Sequence, residues 1–458
     1  MNNSCSKLHD ECGVFGIYGD DIIKPSVASY YGLFALQHRG QESCGIAVSE
    51  MGVLNSYKNK GLVSEVFDDK KLKSLNGQIA IGHVRYSTAG QSSIENSQPF
   101  LVRHSKGRLA ISHNGNLTNA EVLRKELAQE GAMFQTTTDA EVITQIIARE
   151  RVKCESMEDA VLRTMKRLKG AYSLLVLSPR KLIAVRDPLG FRPLVIGKLG
   201  KSFIAASETC ALDAVGAEVI RDVKPGEVIV FNSNGMKSIC DNCSNNKRTC
   251  IFEYIYFARP DSVIDSVEVH ASRIKAGRIL AKQCPADADI VIGVPDSGLD
   301  AAIGYARESG IEYSVGFVRN NYVGRTFIKP EQSQRREGVD IKLNILSQNI
   351  KGKRIVMVDD SIVRGSTSAN IIKALKKAGA KQVHVRISSP TLHWPCYYGT
   401  DIPTRDELAS NRNSVEQLCE KIGADSLGFL SVESLKELVN SDTKTYCDAC
   451  FAGDYPER

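Results

Sequence analysis

The sequence predicts a chain of two halves, an α+β half followed by an α/β half. Its 458 residues exceed one domain at roughly 150 residues per domain. Short β-like runs separated by turn residues fill the first half, as in a mainly antiparallel sheet. In the second half strands and helices alternate, which is typical of a buried parallel sheet. We therefore expect two or three domains of different architecture.

The composition is that of an average soluble protein, with 42% hydrophobic residues, 24% charged residues and a net charge of +6. No apolar stretch approaches the roughly 18 residues of a membrane span, and residues 1–11 lack the apolar core of a secretory signal. Thirteen cysteines, an odd number, do not indicate a secreted disulfide framework. We expect a cytoplasmic protein without a membrane partner. No helix-turn-helix pattern points to nucleic acid.

The first half, from Cys12 to about Asn232, contains the β-like runs GVFGIYG, CGIAVS, GQIAIGHVRY, RLAISHNG, YSLLVLS, KLIAVRD, PLVIGK, SFIAAS and EVIVF. Two helical stripes interrupt them, one after Asp139 and one after Ser156. The apolar residues of these stripes are Val142, Ile143, Ile146 and Ile147, and Val161, Leu162, Met165 and Leu168. This pattern predicts two layers of sheet with helices outside.

A boundary follows, because the apolar pattern lapses into Asn, Ser, Gly and Cys between residues 232 and 247. We place the first domain at 12–235, a linker at 236–250 and the second domain at 251–458. In the second domain, IVIGV precedes a helix from Leu299, and RIVMV precedes a helix through Ile371, Ile372 and Leu375. EYSVGFV and KQVHVRISS supply further strands.

The most informative segment is RIVMVDDSIVRGSTS, residues 354–368, in which an apolar strand ends in Asp359 and Asp360. A loop with small and hydroxyl residues then leads into a helix, and backbone N–H groups at such a helix start bind anions. The neighbouring carboxylates could bind ribose hydroxyls directly or Mg²⁺ through water. A second loop at a strand end, VPDSG, supplies Asp296, Ser297 and Gly298 where ligands of open α/β sheets bind.

Two plainer interpretations of this region stay open from the residues alone. The paired aspartates could form an acidic turn that caps a helix. The basic residues that cluster between Arg319 and Arg364 could form a solvated face, or they could attract a highly phosphorylated ligand.

Cys12 is the candidate nucleophile of the first half. An N-terminal cysteine carries an α-amine of pKa about 7.7 to 8.0 beside a thiol of pKa near 8.5, so the amine can serve as its general base. Cleavage between Glu11 and Cys12 would create this group. Taken alone, the position of Cys12 favours a buried strand cysteine over a nucleophile. A papain-type Cys–His pair is a further alternative, although none of the candidate histidines follows a matching motif: His38, His83, His104 and His113.

The motifs QHRGQES, GHVRYST, SHNGNLTN and TTTDAE, in that order, resemble the glutaminase domain of the N-terminal-nucleophile amidotransferases. The resemblance implies an αββα sandwich, a cleaved propeptide at residues 1–11 and Cys12 as nucleophile. It implies an oxyanion hole from Asn114 and Gly115. It also implies glutamine-binding residues at Arg39, Gly40, Arg85, Thr88 and Asp139.

VDDSIVRGSTS is similar to the phosphoribosylpyrophosphate (PRPP) loop of type I phosphoribosyltransferases, VPDSG to their pyrophosphate loop, and residues 320–344 to their flexible lid. The resemblance implies one Mg²⁺ per subunit at Ser297, Asp359 and Asp360. The PRPP-binding residues that it implies are Asp296, Ser297, Gly298, Arg325, Lys329, Asp359, Asp360, Ser361, Arg364, Gly365, Ser366 and Thr367.

Two C-x-x-C pairs, Cys240/Cys243 and Cys447/Cys450, could together form a four-thiolate zinc ribbon. However, Cys250 in CIFEYIYFARPDS and Cys396 in HWPCYYGTD, with Cys447 and Cys450 in YCDAC, match an amidotransferase subgroup that carries one [4Fe–4S] cluster per subunit. Four thiolates suit either metal. The resemblance favours the iron–sulfur cluster and leaves Cys240 and Cys243 as linker thiols.

Together, the motifs from Cys12 to Cys450 resemble the glutamine PRPP amidotransferases. That family implies conversion of PRPP, glutamine and water to 5-phosphoribosylamine, glutamate and pyrophosphate, the first committed step of purine synthesis. It also implies a homotetramer and inhibition by purine nucleotides. The alternatives are another glutamine amidotransferase, a non-enzymatic PRPP-binding regulator and a zinc-dependent hydrolase.

Overall fold

The computed structural model describes residues 12–19, 21–86, 93–319, 343–441 and 443–457. In the first half its strands are β1 Gly13–Tyr18, β2 Ser43–Glu50, β3 Val53–Lys60, β4 Ile79–Arg85, β5 Phe100–His104, β6 Gly107–Leu117, β7 Gly170–Ser178, β8 Lys181–Arg186, β9 Val195–Leu199, β10 Ser202–Ala206, β11 Glu218–Asp222, β12 Val228–Asn232 and β13 Gly235–Ile239. Its helices are α1 Pro25–Ala35, α2 Val63–Val66, α3 Asp69–Ser74, α4 Ala120–Gln129, α5 Asp139–Lys153, α6 Met157–Met165 and α7 Thr209–Asp213, with a 3₁₀ turn at Ile94–Asn96.

These strands form two antiparallel sheets in the described residues, in the orders β11-β9-β10-β1-β4-β2-β3 and β13-β12-β8-β7-β6-β5. Alternation along each strand divides its apolar side chains between two faces. In β1, Val14 packs in the core between the sheets, whereas Phe15 and Ile17 pack in the outer core beside α1. The outer face of the second sheet packs under α4, α5 and α6. The predicted αββα sandwich is confirmed.

Both predicted helices of this half are present. Ser156 begins α6 as its N-cap, because its hydroxyl accepts a hydrogen bond from the Asp159 N–H at 3.1 Å. Helix α5 starts at Asp139 and buries its apolar stripe against β6 and β5. Since α5 begins beside β6, its first residue lies at one end of the sandwich.

The second half contains strands β14 Thr249–Cys250, β15 Val263–Ile264, β16 Val267–Glu268, β17 Ile290–Gly293, β18 Glu312–Tyr313, β19 Phe317–Arg319, β20 Leu343–Ile345, β21 Arg354–Asp359, β22 Gln382–Ile387, β23 Ser426–Phe429 and β24 Tyr446–Cys447. Its helices are α8 Val269–Gln283, α9 Gly298–Ser309, α10 Ser347–Ile350, α11 Ser366–Lys377, α12 Ala409–Arg412, α13 Val415–Ile422, α14 Leu435–Leu438 and α15 Ala449–Ala452. A π-helical turn spans Glu253–Phe257, and 3₁₀ turns span Arg405–Glu407 and Val432–Ser434.

A five-stranded sheet, β18-β17-β21-β22-β23, forms the centre of this half, and all of its pairings are parallel. Successive residues of β21 pack on opposite faces: Val356 and Val358 in the core with α8 and α9, Ile355 and Met357 in the core with α11 and α13. The predicted α/β domain with a parallel sheet is confirmed. Among the described helices, none combines the length and the apolar character needed to cross a bilayer.

The stretch predicted as a linker, 236–250, is more ordered than the sequence indicated. Strand β13 pairs with β12 and continues the sheet to Ile239, and β14 pairs in parallel with β24 of the second half. Cys240 and Cys243, interpreted as linker thiols, are joined by a disulfide bond, which corrects that interpretation. The domain boundaries themselves remain predictions.

Candidate active sites

Cys12 lies directly before β1, in the middle of the first sheet. Its thiol donates to the carbonyl oxygen of Tyr86 at 3.5 Å, and its own carbonyl oxygen accepts a hydrogen bond from Nε of Arg39 at 3.0 Å. The Ser207 hydroxyl holds the N–H of Val14 at 2.9 Å. The start of β1 is therefore fixed on two sides, while the thiol stays partly accessible.

The predicted oxyanion residues lie on β6. Asn114 is buried, and its Nδ2 has no hydrogen-bond acceptor among the residues that the structure describes. Gly115 has a φ of +139°, and an added Cβ would lie 2.2 Å from the carbonyl oxygen of Ala171, so this position requires glycine. An unused amide donor is the feature that a developing oxyanion needs.

The predicted glutamine-binding residues Arg85 and Asp139 are both buried. Arg85 ends β4 and donates to the Glu42 carboxylate at 2.6 Å. Gly40 lies against the backbone of Arg85, since a Cβ there would come within 2.6 Å of the Arg85 carbonyl carbon. Thr88 lies outside the described residues.

Asp139 remains a carboxylate despite its burial. Burial acts to raise its pKa, but His113, with Nδ1 at 3.4 Å, and the Leu117 N–H at 2.9 Å hold the pKa below its ordinary value. An ionised buried carboxylate can accept an ammonium group. The site residues are joined by short contacts: Cys12 touches the residue after Arg85, and Nε2 of His83 on β4 lies 2.9 Å from the carbonyl oxygen of His113, next to Asn114.

In the second half, the two predicted phosphate loops meet at one edge of the parallel sheet. Gly293 is paired with Val358, so β17 and β21 end side by side. The Ser297 hydroxyl donates to one oxygen of Asp360, and the Ser361 hydroxyl donates to the other at 2.5 Å. Asp359 is buried and accepts from the Asp360 N–H at 3.0 Å. The carboxylates predicted for Mg²⁺ and PRPP are thus adjacent.

Glycines allow these loops to approach the sheet. A Cβ on Gly298 would lie 2.5 Å from the carbonyl oxygen of Val358, and Gly365 precedes α11 with a φ of +82°. Ser366 then opens α11, which places Thr367 in its first turn. Asp296 follows a cis peptide from Pro295 and pairs with Arg319, and Arg364 pairs with Glu407. Arg325 and Lys329 lie outside the described residues.

Comparison with known proteins accounts for both halves. A family described as "Glutamine amidotransferase domain" matches residues 83–214, and one described as "Phosphoribosyl transferase domain" matches residues 264–388. Amidophosphoribosyltransferase of Bacillus subtilis is 47% identical over 98% of this chain and 94% of its own length. The chain belongs to the amidophosphoribosyltransferase family. The relative of the same name from Methanocaldococcus jannaschii is 46% identical over 97% of both chains.

Solved structures agree with this assignment to the amidophosphoribosyltransferase family. Glutamine PRPP amidotransferase from B. subtilis, complexed with ADP and GMP, superposes with a TM-score of 0.91 at 46% identity and covers 98% of both chains. A structure described as the allosteric regulatory enzyme of purine biosynthesis has a TM-score of 0.92 at 47% identity, covering 98% of this chain and 96% of its own.

In this member of the amidophosphoribosyltransferase family, the four cysteines predicted to hold a cluster lie together. Cys250 on β14 lies opposite Cys447 on β24 in the backbone register of these two parallel strands. Burial first, and then the neighbouring Cys396, raises the pKa of Cys447 to about 12. Burial first, and then the three neighbouring cysteines Cys396, Cys250 and Cys447, raise the pKa of Cys450.

These pKa values have a chemical consequence. Thiols packed in this way ionise only when a cation compensates the thiolates. The donor set therefore fits a thiolate-bound metal centre. Within the described ranges, however, no group of three or more His, Cys, Asp or Glu side chains is already arranged to hold a metal ion.

Sequence reasoning missed a set of buried charges where the two halves meet. Arg39 and Arg192 of the first half pair with Glu253 of the second, and Glu208 of the first half also pairs with Arg39. Glu208 and Glu253 are 1% and 0% exposed. The available signal was Glu253 inside the apolar run CIFEYIYF, where an unpartnered carboxylate would be too costly to bury.

Proposed function

We propose that this chain is a glutamine-dependent amidotransferase that converts PRPP, glutamine and water to 5-phosphoribosylamine, glutamate and pyrophosphate, the first committed step of purine synthesis. The observation that carries the proposal is the union in one chain of two sites. One has a cysteine at the start of a central strand beside an unused amide donor. The other has paired aspartates beside a helix start. A glutaminase site alone needs no PRPP site, and a PRPP site alone needs no glutaminase site, so their occurrence in one chain favours a reaction that uses both.

In the glutaminase half, the Cys12 thiolate attacks the side-chain amide carbon of glutamine. The Nδ2 of Asn114 and the N–H of Gly115 stabilise the tetrahedral oxyanion. Arg85 would bind the α-carboxylate of glutamine and Asp139 its α-ammonium, and these two contacts orient the substrate. Ammonia leaves with a proton from the Cys12 α-ammonium, and water then hydrolyses the thioester to glutamate. The alternative Cys–His mechanism is disfavoured, because Nε2 of His83 is engaged with the carbonyl oxygen of His113 at 2.9 Å and Nδ1 of His113 lies 3.4 Å from Asp139.

In the phosphoribosyltransferase half, ammonia attacks C1 of PRPP and pyrophosphate leaves. Asp359 and Asp360 would bind the ribose hydroxyls, with Ser361, Arg364, Gly365, Ser366 and Thr367 around the 5-phosphate. Asp296, Ser297 and Gly298 would bind the pyrophosphate, and Arg325 and Lys329 would cover it. The hydroxyl and carboxylate oxygens of Ser297, Asp359 and Asp360 fit a hard cation. Mg²⁺ bound there would neutralise charge on the leaving pyrophosphate.

We further propose that Cys250, Cys396, Cys447 and Cys450 hold a [4Fe–4S] cluster, with zinc as the alternative. Their burial and mutual proximity support a thiolate-bound group. A group held there would tie β14, at the start of the second half, to β24 near its end. We propose a structural role for it and assign it no part in either reaction.

Three finer points rest on the family resemblance. Residues 1–11, which lie outside the described residues, would be removed so that Cys12 gains its α-amine. The protein would act in the cytoplasm as a homotetramer. Purine nucleotides would inhibit it, which agrees with the ADP and GMP in the complex of the B. subtilis relative.

The test is pyrophosphate release from PRPP, measured with glutamine or with ammonia as the nitrogen donor. We expect the mature chain to use both. Cys12→Ala should abolish glutamine use and spare ammonia use, whereas Asp359→Asn should weaken PRPP binding with either donor. Mass spectrometry should show loss of residues 1–11. Absence of glutamine-dependent pyrophosphate release from the unaltered enzyme would refute the proposal.

A further inference from the structure

A buried carboxylate of the second half is joined to the nucleophile of the first through a single arginine. Arg39 donates Nη2 to Oε1 of Glu253 at 2.7 Å and Nη1 to Oε2 at 2.9 Å, a bidentate pair. The remaining nitrogen, Nε, donates to the carbonyl oxygen of Cys12 at 3.0 Å. Arg39 and Glu253 are 1% and 0% exposed, so water does not screen their contact.

Glu253 is itself held rigidly in the second half. It begins the π-helical turn Glu253–Phe257, a kind of turn that is rare and frequently found at functional sites. The buried Arg273 on α8 donates to the carbonyl oxygens of Tyr254 at 2.9 Å and Ala258 at 2.7 Å, which fixes this turn from behind. The position of the Arg39 fork is therefore set by the phosphoribosyltransferase half.

The first half supplies a second anchor for Arg39. Nη1 of Arg39 also donates to Glu208 at 2.5 Å, and Glu208 accepts from the backbone N–H of Arg259 at 2.9 Å and the hydroxyl of Ser262 at 2.6 Å. Glu208 is thus shared with the second half, whereas the bidentate partner of Arg39 is Glu253. Of the two carboxylates, only Glu253 contacts both terminal nitrogens of Arg39 in these bonds, so its loss would leave Nη1 on Glu208 and remove the carboxylate that holds Nη2.

We propose that Glu253 is a positioning residue for the nucleophile: by holding the Arg39 fork it fixes the Cys12 carbonyl, and so the direction of the Cys12 amine and thiol. This inference rests on the proposed function, because it assigns the positioning of a reacting group that the proposed function requires. An N-terminal residue has no preceding peptide to restrain it, so its carbonyl is the backbone group through which the protein can orient it. A misplacement of about 1 Å can lower a rate by about a hundredfold.

The test compares Glu253→Gln with Glu227→Gln in the mature enzyme, with both halves present. Glu227 is the matched control: it is also buried and also pairs with an arginine, Arg221 at 2.7 Å, but it contacts neither site. We expect Glu253→Gln to lower the kcat with glutamine by about tenfold or more, with the KM for glutamine and the kcat with ammonia unchanged. Glu227→Gln should alter none of these values.

A second measurement reports on the nucleophile without glutamine binding. Alkylation of Cys12 by iodoacetamide, followed by mass spectrometry across pH, should be slower in Glu253→Gln and unaltered in Glu227→Gln. If Glu253→Gln does not fold, Glu253→Asp decides, because it keeps the charge and withdraws it by one methylene. In that variant the ratio of glutamine-dependent to ammonia-dependent kcat must fall.

Two results would overturn the inference. One is a Glu253→Gln enzyme with unaltered glutamine turnover and alkylation. The other is an equal loss with glutamine and with ammonia, which would make Glu253 a general structural residue. Either outcome leaves the proposed function intact as long as the unaltered enzyme releases pyrophosphate with glutamine.

Discussion

At the scale of single residues, Asn114 offers the clearest separation of stability from catalysis. Its buried amide nitrogen Nδ2 has no acceptor among the described residues, so replacing Asn114 by alanine breaks no internal hydrogen bond donated by that nitrogen. Loss of one oxyanion donor typically costs about 10²- to 10³-fold in kcat. We expect Asn114→Ala to lose that much glutamine turnover while its melting temperature and its ammonia-dependent rate are retained. A matching fall in melting temperature would show that Asn114 stabilises the fold instead.

His83 predicts a pH dependence of stability. Burial lowers its pKa from 6.5 to about 3, although a hydrogen bond with the carbonyl oxygen of His113 opposes the shift. Between those values the unfolded chain binds a proton that the folded chain does not. The free energy of unfolding therefore falls as the pH decreases below about 6.5, by at most about 1.4 kcal/mol per pH unit from this group.

The matching variant is His83→Gln, whose amide can still donate to the His113 carbonyl oxygen but does not titrate. Denaturant unfolding at pH values between about 5 and 7 should give a shallower dependence for His83→Gln than for the unaltered protein. Equal slopes would mean that His83 carries a proton in the folded state.

At the scale of elements, the sequence predicted the inner strands of the sandwich and missed its edges. The unpredicted strands β3, β5, β11 and β13 are the four edge strands of its two sheets in the described residues. Edge strands bury less surface, and β3 and β13 carry polar side chains where inner strands are apolar. The same cause placed the predicted linker at 236, inside β13. Apolar periodicity indicates burial, so it cannot indicate a strand that is mostly exposed.

The pairing of β14 with β24 makes the cysteines a second testable element. Spacing alone allowed Cys240 and Cys243 as metal ligands, but they form a disulfide bond, and Cys250 and Cys396 lie with the other pair instead. We expect Cys450→Ser to reduce iron or zinc content, measured by mass spectrometry of the metals, and to lower the melting temperature. Cys240→Ser is the control. Metal loss in both variants would restore the zinc-ribbon alternative, which uses both C-x-x-C pairs.

At the scale of the whole molecule, motif order indicated both sites but not the contacts that join them. Buried pairs such as Arg39 with Glu253 and Arg186 with Asp265 connect residues far apart in sequence, and no local pattern encodes such a pairing. Family resemblance supplied the roles of Cys12 and Asp359. Only the folded chain reveals that Glu253 reaches the backbone of Cys12 through Arg39.

These contacts lead to a prediction about coupling between the two reactions. Arg273 holds the turn that carries Glu253, and it also interacts electrostatically with Asp300 and with Asp360 of the predicted PRPP loop. A ligand that changes the charge around Asp360 acts on Arg273, and through that turn on Arg39 and Cys12. We therefore expect saturating PRPP to accelerate glutamate release from glutamine, and typical coupling energies of about 1–3 kcal/mol correspond to about 5- to 150-fold.

The measurement is the rate of glutamate release at saturating glutamine, with and without PRPP. Arg273→Lys keeps the charge but cannot bridge two carbonyl oxygens with a planar fork, so the ratio of the rates with and without PRPP should fall in this variant. If PRPP leaves glutamate release unchanged in the unaltered enzyme, the buried pairs hold the halves together without transmitting ligand binding. In that case ammonia would be produced whether or not its acceptor is bound, and PRPP binding would not regulate the glutaminase site.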